Sequence, residues 1–187
     1  MKPGKLPPKL LQQLLDKISF AEPSVLLGPK IGEDAAILNT TSSKYLVVTT
    51  DPITFATDKI GWYVVNINAN DIAVMGGDPK WLLITLLLPQ TINKKTIDDI
   101  FSQIIDTSTN LGITLVGGHT EITPNIISPI AIGTLIGEVS KNHVVRTQDA
   151  KPKDAIILTK KIALEGTSII AREFSKKLKS LGIGNDV

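Results

Sequence analysis

One almost continuous apolar segment, residues 81–88 (WLLITLLL), constrains the fold of this chain more than any other feature. Its length suits a β-strand, and Pro89 directly after it ends the run. A helix that crosses a bilayer needs about 20 apolar residues, so the segment predicts no membrane span. A strand that is apolar on both faces needs covering, so we expect a sheet with helices packed on at least one face.

Hydrophobic spacing along the rest of the chain predicts alternating helices and strands. Helices are expected over residues 8–18, from Thr96 to the residue before Gly112, and over residues 168–181. Further β-rich runs lie at residues 35–38, 45–50, 114–116, 130–136 and 155–159. This order predicts an α+β or mixed α/β fold.

The segment over residues 61–75 fits two structures. Apolar residues alternate with Asn66, Asn68 and Asn70, as in a strand, whereas the four-residue spacing of Asn66 and Asn70 suits one helix face. Three asparagines in five residues are unfavourable in either element. Polar residues placed against local propensity tend to mark functional sites, so this segment is a candidate site in either structure.

The composition excludes several classes of protein. The 187 residues include no cysteine, which rules out disulfides, zinc–thiolate sites, iron–sulfur ligation and thiol nucleophiles. The net charge is +3 over residues 1–30, −6 over 31–140 and +5 over 141–187. A nucleic-acid-binding protein concentrates basic residues on its folded body, whereas this body is acidic. The N-terminal sequence lacks the apolar stretch of a signal peptide, so we expect a cytoplasmic protein that binds neither nucleic acid nor membranes.

Acidic residues recur at strand ends and in glycine-flanked segments: Glu33 with Asp34, Asp51, Asp71 and Glu121. Magnesium prefers oxygen ligands from a few carboxylates, completed by water and substrate phosphates. Converging carboxylates beside glycines, whose backbone amides can approach phosphate oxygens, would suit a magnesium–nucleotide site. Each residue alone is more often a turn or capping residue, so the prediction depends on their convergence.

His119 lies in the segment Gly117-Gly118-His119-Thr120 and is one of two histidines. A histidine there suits a base, a metal ligand or a phosphate contact, and equally a hydrogen-bonded turn residue. The chain contains neither the Gly-Lys-Ser/Thr phosphate loop nor the spaced glycines of a dinucleotide-binding fold. The role of His119 therefore stays open at this point.

The chain resembles the aminoimidazole-ribonucleotide (AIR) synthetase superfamily in four consecutive segments: residues 31–38 (IGEDAAIL), 47–89 (including TTD and NDIAVMGG), 116–124 (VGGHTEITP) and 129–139 (PIAIGTLIGEV). This superfamily includes the purine enzyme, thiamine-monophosphate kinase, selenophosphate synthetase and a hydrogenase-maturation carbamoyl dehydratase. The resemblance implies an α+β fold like the AIR synthetase N-terminal domain, with a mixed sheet packed on helices and a dimer formed through the sheet. It also implies that residues 66–75 are helical.

The resemblance also divides the chain. Residues 1–30 would form an N-terminal helix and a flexible segment that covers phosphates, and residues 31–146 the ATP-binding domain. Residues 147–187 would be a linker and the incomplete start of a C-terminal domain. The implied partners are a second copy of the chain, a nucleotide and an unknown small-molecule substrate.

The resemblance implies ATP and Mg²⁺ as cofactors, bound near the subunit interface. The implied metal ligands are Glu33, Asp34, Asp51, Asp71 and Glu121. The implied contacts to ATP phosphates are Lys2, Lys5, Gly32, Thr50, Asn70, Gly117, Gly118, His119 and Thr120. No catalytic residue is assigned.

Three departures from the family pattern limit the implied function. Kinase-like members carry Asp where this chain has His119, which disfavours thiamine-monophosphate kinase activity. The absence of cysteine removes the thiol chemistry of the hydrogenase-maturation and selenophosphate members. The expected C-terminal domain stops after its first strand and helix.

The expected function is that of an ATP/Mg-binding domain of an AIR synthase-related, hydrogenase-maturation-like protein. In its intact form it would activate an oxygen of a small substrate by phosphoryl transfer. The alternative is a non-catalytic remnant that binds nucleotide or dimerises. The sequence does not decide whether this chain is an enzyme.

Overall fold

The structure is a computed structural model, and it describes residues 4–19, 22–40, 43–54, 56 and 58–183. The helices are α1 (Pro8–Leu15), α2 (Ile60–Val74), α3 (Lys94–Asn110), α4 (Leu164–Glu173) and α5 (Ser175–Ser180), with a 3-10 turn at Thr147–Asp149. The strands are β1 (Val25–Leu27), β2 (Ala36–Asn39), β3 (Lys44–Ile53), β4 (Asp78–Pro89), β5 (Thr114–Thr123) and β6 (Ile130–Ser140).

The six strands form one mixed sheet in the order β1-β2-β3-β6-β4-β5. Strands β4 and β5 are parallel and the other neighbouring pairs are antiparallel. Parallel neighbours need a crossover connection, and α3 supplies it between β4 and β5. The predicted α+β class and mixed sheet are confirmed.

Helix α2 packs on strands β3 and β6 and against α3, so it is buried on most sides. This explains why Ile60, Val64, Val65 and Ile72 are all fully buried on one helix. Glycines in β6 allow the close approach, since a side-chain carbon on Gly133 would collide with the amide of Asn68. The helical structure implied for residues 66–75 is confirmed.

The helices cover only one face of the sheet. Leu82, Leu86 and Leu88 of β4 are buried beneath them, whereas Trp81 and Leu83, which alternate with them, are 38% and 37% exposed. Helix cover on one face is therefore confirmed, and no helix or strand among the described residues covers the opposite face of the apolar strand. None of the helices among the described residues is long and apolar enough to cross a membrane.

Several predicted element boundaries are wrong, among them the end of α1 at Leu15, the start of α3 and the end of β5. Helix α3 begins at Lys94 and not at Thr96, because the extended Asn93 caps it by accepting a hydrogen bond from the Thr96 backbone N–H at 2.9 Å. Strand β5 runs beyond residue 116 through Gly117–Thr123, because its parallel pairing with β4 continues to Pro89. The Gly-Gly-His-Thr segment thus lies inside a strand and not at a strand end.

The C-terminal prediction is also corrected. Residues 155–159 form no strand in the described structure, and the side chain of Ile156 is fully exposed. A strand needs a neighbour to satisfy its backbone groups, and β-propensity alone does not supply one. The single helix predicted over residues 168–181 begins at Leu164 and is interrupted at Phe174 between α4 and α5.

Candidate functional site

Asp51 and Asp71 lie near each other where helix α2 crosses strand β3, and the backbone of Asp34 lies beside them. Asp71 of α2 lies beside Thr49 of β3, with 2.9 Å between the Thr49 hydroxyl and the Asp71 carboxylate. The same hydroxyl is 3.1 Å from the carbonyl oxygen of Asp34. Asp51 lies two residues after Thr49, on the same face of β3. The buried Thr49 hydroxyl therefore joins the Asp34 loop to the helix that carries Asp71.

Asn68 positions Asp51, although it is not among the metal ligands and phosphate contacts predicted from the sequence. Its fully buried side chain accepts a hydrogen bond from the Asp51 backbone N–H at 3.0 Å. Its amide nitrogen donates to the carbonyls of Asp51 at 3.3 Å and Val64 at 2.8 Å. The cluster of three asparagines was the available signal, but Asn70, the predicted phosphate contact, is exposed.

Mutual repulsion and burial act on the three carboxylates. Burial is the largest cause that raises the pKa of Asp71 to about 6, the Thr49 hydrogen bond opposes it, and the charges of Asp51 and Asp34 add to it. Burial also raises the pKa of Asp51, where the Lys5 ammonium opposes the shift and Asp34 reinforces it. A bound cation would relieve both effects, so the electrostatics of this cluster suit a divalent metal ion.

The described residues contain no group of three or more His, Cys, Asp or Glu side chains arranged to hold a metal ion by themselves. Mg²⁺ is usually held by only one or two carboxylates, and substrate phosphates and water complete its octahedral shell. Hard carboxylate oxygens at Asp51 and Asp71 fit that mode of binding. The arrangement suits an ion that arrives with a nucleotide better than a resident ion.

A cleft of about 570 Å³ adjoins the aspartates. Lys5 and Asp51 lie at its polar wall, and Ile67 and Ile169 contribute apolar surface. This volume is typical of sites for small ligands. Lys5, one of the predicted phosphate contacts, lines this cleft, whereas Lys2 lies outside the described residues.

Glu33 is directed away from the three aspartates, towards the 3-10 turn. Its two carboxylate oxygens accept hydrogen bonds from the backbone N–H groups of Thr147 at 3.1 Å and Gln148 at 3.2 Å. Gly32, just before it, is exposed with φ of +87°, a conformation that favours glycine. The predicted grouping of Glu33 with the aspartates is therefore corrected, because both of its oxygens already bind backbone amides.

His119 and Glu121 lie on the opposite face of the sheet. Across the sheet, Asp51 pairs with Gly133, Gly133 with Ile84, and Ile84 with Gly118. His119 and Glu121 lie one and three residues after Gly118, so the alternation of side chains along β5 directs them to the face opposite Asp51. Three strand spacings separate β5 from β3, a distance of roughly 14 Å. One chain therefore does not bring Glu121 to the aspartates as predicted.

On that face Glu121 has partners of its own. It lies 3.0 Å from the Nε2 of His119, and Thr123 donates a hydrogen bond to it at 2.8 Å. The His119 hydrogen bond is the largest cause that lowers the pKa of Glu121, and the Thr123 hydrogen bond adds to it. These three side chains form a polar group that is separate from the aspartate cluster.

The other predicted phosphate contacts also belong to strands. The Thr50 hydroxyl donates to the Gly133 carbonyl at 2.8 Å, and Thr134 donates to Thr50 at 3.2 Å. Gly118 has φ of +151°, and a side-chain carbon there would collide with the Ile84 carbonyl. Gly117, next to Gly118, and Thr120, two residues after it, also lie in β5 and are exposed. Of the predicted phosphate contacts that the structure describes, Lys5 is the one that lines the cleft beside Asp51.

Comparison with known proteins places this arrangement in a family. The family model described as AIR synthase related protein, N-terminal domain, matches residues 32–139. A putative hydrogenase expression/formation protein of Methanocaldococcus jannaschii is 27% identical over 95% of this chain and 56% of its own length. A selenide, water dikinase of Dechloromonas aromatica is 30% identical over 86% of this chain and 47% of its own length.

A solved structure of AaThiL complexed with AMPPCP and TMP has the same fold. It superposes with a TM-score of 0.63 at 19% identity and covers 91% of this chain and 60% of its own. The chain thus spans about half the length of the curated relatives it matches.

Proposed function

The chain belongs to the AIR synthase related protein family, and on that premise we propose that it binds ATP with Mg²⁺ in the cleft between Lys5 and Asp51. The observation on which this proposal rests is the cluster of Asp34, Asp51 and Asp71 beside that cleft. Burial raises the pKa of Asp51 and of Asp71, and a divalent cation bound between them would favour their ionised forms.

In the proposed complex, Asp51 and Asp71 hold Mg²⁺ through carboxylate oxygens, and Asp34 adds charge or a water-mediated contact. Lys5 binds the phosphate groups as a point charge. Asn68 and Thr49 touch neither ion nor nucleotide, and they fix the backbone of Asp51 and the position of Asp71. The bound Mg²⁺ would neutralise charge that develops on the phosphates.

The proposed reaction is transfer of the γ-phosphoryl group to an oxygen of a small substrate. The substrate oxygen forms a bond to phosphorus as the bond to the ADP oxygen breaks, so ADP and a phosphorylated, activated substrate result. The substrate proton passes to water or to a nearby base. This proposal needs no covalent nucleophile on the protein, in agreement with the absence of cysteine.

We also propose that the chain forms a homodimer through the open face of its sheet. Trp81 and Leu83 expose apolar surface there, and an apolar sheet face seeks cover in water. His119 and Glu121 share this face, so a second copy would bring an additional polar group to the region near the dimer interface. In that assembly, the predicted contacts of β5 with nucleotide would come from the other subunit.

The test is calorimetric titration of the protein with ATP, with and without Mg²⁺. Asp51→Asn and Asp71→Asn are expected to reduce Mg²⁺-dependent affinity at least about tenfold, since each removes one charged ligand. Asp106→Asn, an exposed carboxylate on α3, is the matched control and is expected to behave as wild type. Unchanged affinity in both cluster variants would overturn the site assignment.

A competing proposal is a module that binds nucleotide without turnover. It is favoured by the exposed apolar residues 155–158, which find no strand partner among the described residues and therefore form no second sheet. Measurement of ADP formation separates the two proposals: binding with Mg²⁺ and no hydrolysis or transfer above background supports the binding module.

A further inference from the structure

The loop that carries Asp34 is fastened to a distant part of the chain by Glu33. Its carboxylate oxygens accept from the Thr147 N–H at 3.1 Å and the Gln148 N–H at 3.2 Å. From the same loop, the Lys30 ammonium donates to the Gln148 side-chain oxygen at 2.6 Å. Three hydrogen bonds therefore join residues that are more than a hundred positions apart in sequence.

The backbone conformation of the 3-10 turn at Thr147–Asp149 directs its first N–H groups towards Glu33. The first N–H groups of a helical turn have no partner within it, and a carboxylate placed there satisfies them. The Arg146 guanidinium closes the turn by donating to both carboxylate oxygens of Asp149, at 2.7 Å and 3.0 Å. The N–H groups of Thr147 and Gln148 thus point towards the Glu33 carboxylate, and the Arg146–Asp149 ion pair stabilises the turn that presents them.

The opposite end of this loop reaches the aspartate cluster. The Asp34 carbonyl, one residue beyond Glu33, contacts the Thr49 hydroxyl that also contacts Asp71. The loop is therefore held on the inner side by Thr49 and on the outer side by the turn at Thr147–Asp149. Release of the outer contact would leave the Thr49 hydroxyl as the side chain among the described residues that contacts the Asp34 carbonyl.

The turn also leads into the segment that borders the cleft. Ile169 of α4 lines the cleft, and α4 is tied to the start of α2 where Tyr63 and Ser168 share a hydrogen bond of 2.9 Å. Arg172 of the same helix donates to Asp58 at 2.8 Å. The turn thus links the Asp34 loop with the helix beside the cleft.

We propose that Glu33 is a positioning residue that couples Asp34 to the turn at Thr147–Asp149, and not a ligand of the metal ion. This inference rests on the proposed Mg²⁺–nucleotide site, and it specifies how that site is regulated. When the turn holds Glu33, Asp34 is fixed beside Asp51 and Asp71. When the segment after the turn moves and withdraws its amides, Asp34 is released and affinity for Mg²⁺–nucleotide falls.

The first measurement needs no nucleotide. Hydrogen exchange of the Gln148 amide is expected to be at least about tenfold faster in Glu33→Ala than in wild type, because that N–H loses its charged acceptor. Glu33→Gln keeps the side-chain length and one acceptor oxygen, so its exchange rate is expected between the two. Equal exchange in all three proteins would overturn the coupling, whatever the chain binds.

The second measurement separates a positioning role from a ligand role. Thr147→Pro removes one donor and leaves the Glu33 carboxylate intact, and the extended backbone of Arg146 accepts a following proline. Positioning predicts that the Mg²⁺ concentration for half-maximal ATP binding rises several-fold in both Thr147→Pro and Glu33→Ala. A metal ligand predicts a rise in Glu33→Ala alone, and that result would overturn the proposal.

Exchange of the Gln148 amide in the wild-type protein, measured with and without Mg²⁺ and ATP, also distinguishes a positioning role of Glu33 from a ligand role. Positioning predicts that the Gln148 amide stays protected, or gains protection, when the site fills. If Glu33 turned to the metal instead, exchange at Gln148 would accelerate on addition of Mg²⁺–ATP, and this outcome would contradict the inference. If no variant and no condition shows nucleotide binding, the proposed function fails while the exchange result still tests the contact.

Discussion

The two faces of the sheet are built from the same strands and differ in almost every physical property. Beneath the helices, Leu82 and Leu86 are buried and the aspartates meet around Thr49 and Asn68. On the other face, apolar side chains are partly exposed and the polar residues bind one another. The residues predicted to form one site therefore lie on two faces of the sheet in a single chain: the aspartates on the covered face, and His119 and Glu121 on the open face.

The stability of the covered face depends on hydrogen-bond partners for its buried polar groups. Asn68→Ala removes three such hydrogen bonds at once and is expected to have the largest effect. Removal of the amide leaves the Asp51 N–H without its acceptor and takes away the side-chain donor to the carbonyls of Asp51 and Val64. Each buried polar group that loses its partner costs about 1–3 kcal/mol, so we expect a loss of roughly 3 kcal/mol in the free energy of unfolding. Urea denaturation measures it.

Asn70→Ala is the control on the same helix. Asn70 is exposed, and alanine has the higher helix propensity, so this variant is expected to be neutral or more stable by about 0.5 kcal/mol. Equal destabilisation by both substitutions would show that the helix, and not the amide of Asn68, determines the stability of the covered face.

The open face is expected to depend on association with a second copy. Leu83→Lys places a charge at a partly exposed apolar position and is expected to weaken the proposed homodimer by about 100-fold, since burial of an unpaired charge is strongly unfavourable. Light scattering over a dilution series measures the monomer fraction. The free energy of unfolding of the monomer is expected to change by less than about 1 kcal/mol.

Leu111→Lys is the matched control, because Leu111 is similarly exposed at the end of α3, away from the sheet. Its dilution curve is expected to match the wild type. A wild-type protein that is monomeric at all concentrations, or a Leu83→Lys variant that remains dimeric, would contradict the proposed use of the open face.

The two faces also differ in what the sequence could predict. The apolar run through Leu82 and Leu86 identified the buried strand β4, because an apolar run of this length without alternation has few other stable structures. It could not show that one face stays open, since burial of Trp81 depends on what packs above it. The asparagine cluster signalled a site, but only the approach of α2 to Gly133 selects Asn68 over Asn70.

The misplaced residues have a common cause. The sequence places Glu33 beside Asp34, but the direction of each side chain depends on Thr147, which is 114 positions away. Glu121 follows a glycine pair whose strand conformation is fixed by pairing with β4. Local chemistry was therefore predictable at both positions, whereas the contacts that orient them are formed between distant segments.

The smallest expected effect is the pH dependence of the covered face. Burial raises the pKa of Asp71 to about 6 in the folded protein, from a value of 3.8 for an unperturbed carboxyl. The folded state therefore binds a proton that the unfolded state has lost, and stability falls as the pH rises from about 4 to about 6. Because Asp71 is only half-buried, solvent screening reduces the expected loss to about 1 kcal/mol.

Asp71→Asn tests this origin, because a neutral amide keeps the shape of the side chain and does not titrate. Urea unfolding near pH 4.5 and near pH 7, without Mg²⁺, is expected to show a smaller loss in this variant than in wild type, and greater stability near pH 7. An undiminished loss would assign the effect to Asp51, whose pKa burial also raises. On the open face the sign is opposite, since the His119 hydrogen bond lowers the pKa of Glu121 and favours its ionised form in the folded state. The contribution of Glu121 is lost as the pH falls below about 4.5, so Glu121→Gln is compared with wild type between about pH 3 and pH 5. Asp71→Asn, tested above pH 4.5, and Glu121→Gln therefore separate the two faces by the direction and the range of their pH dependence.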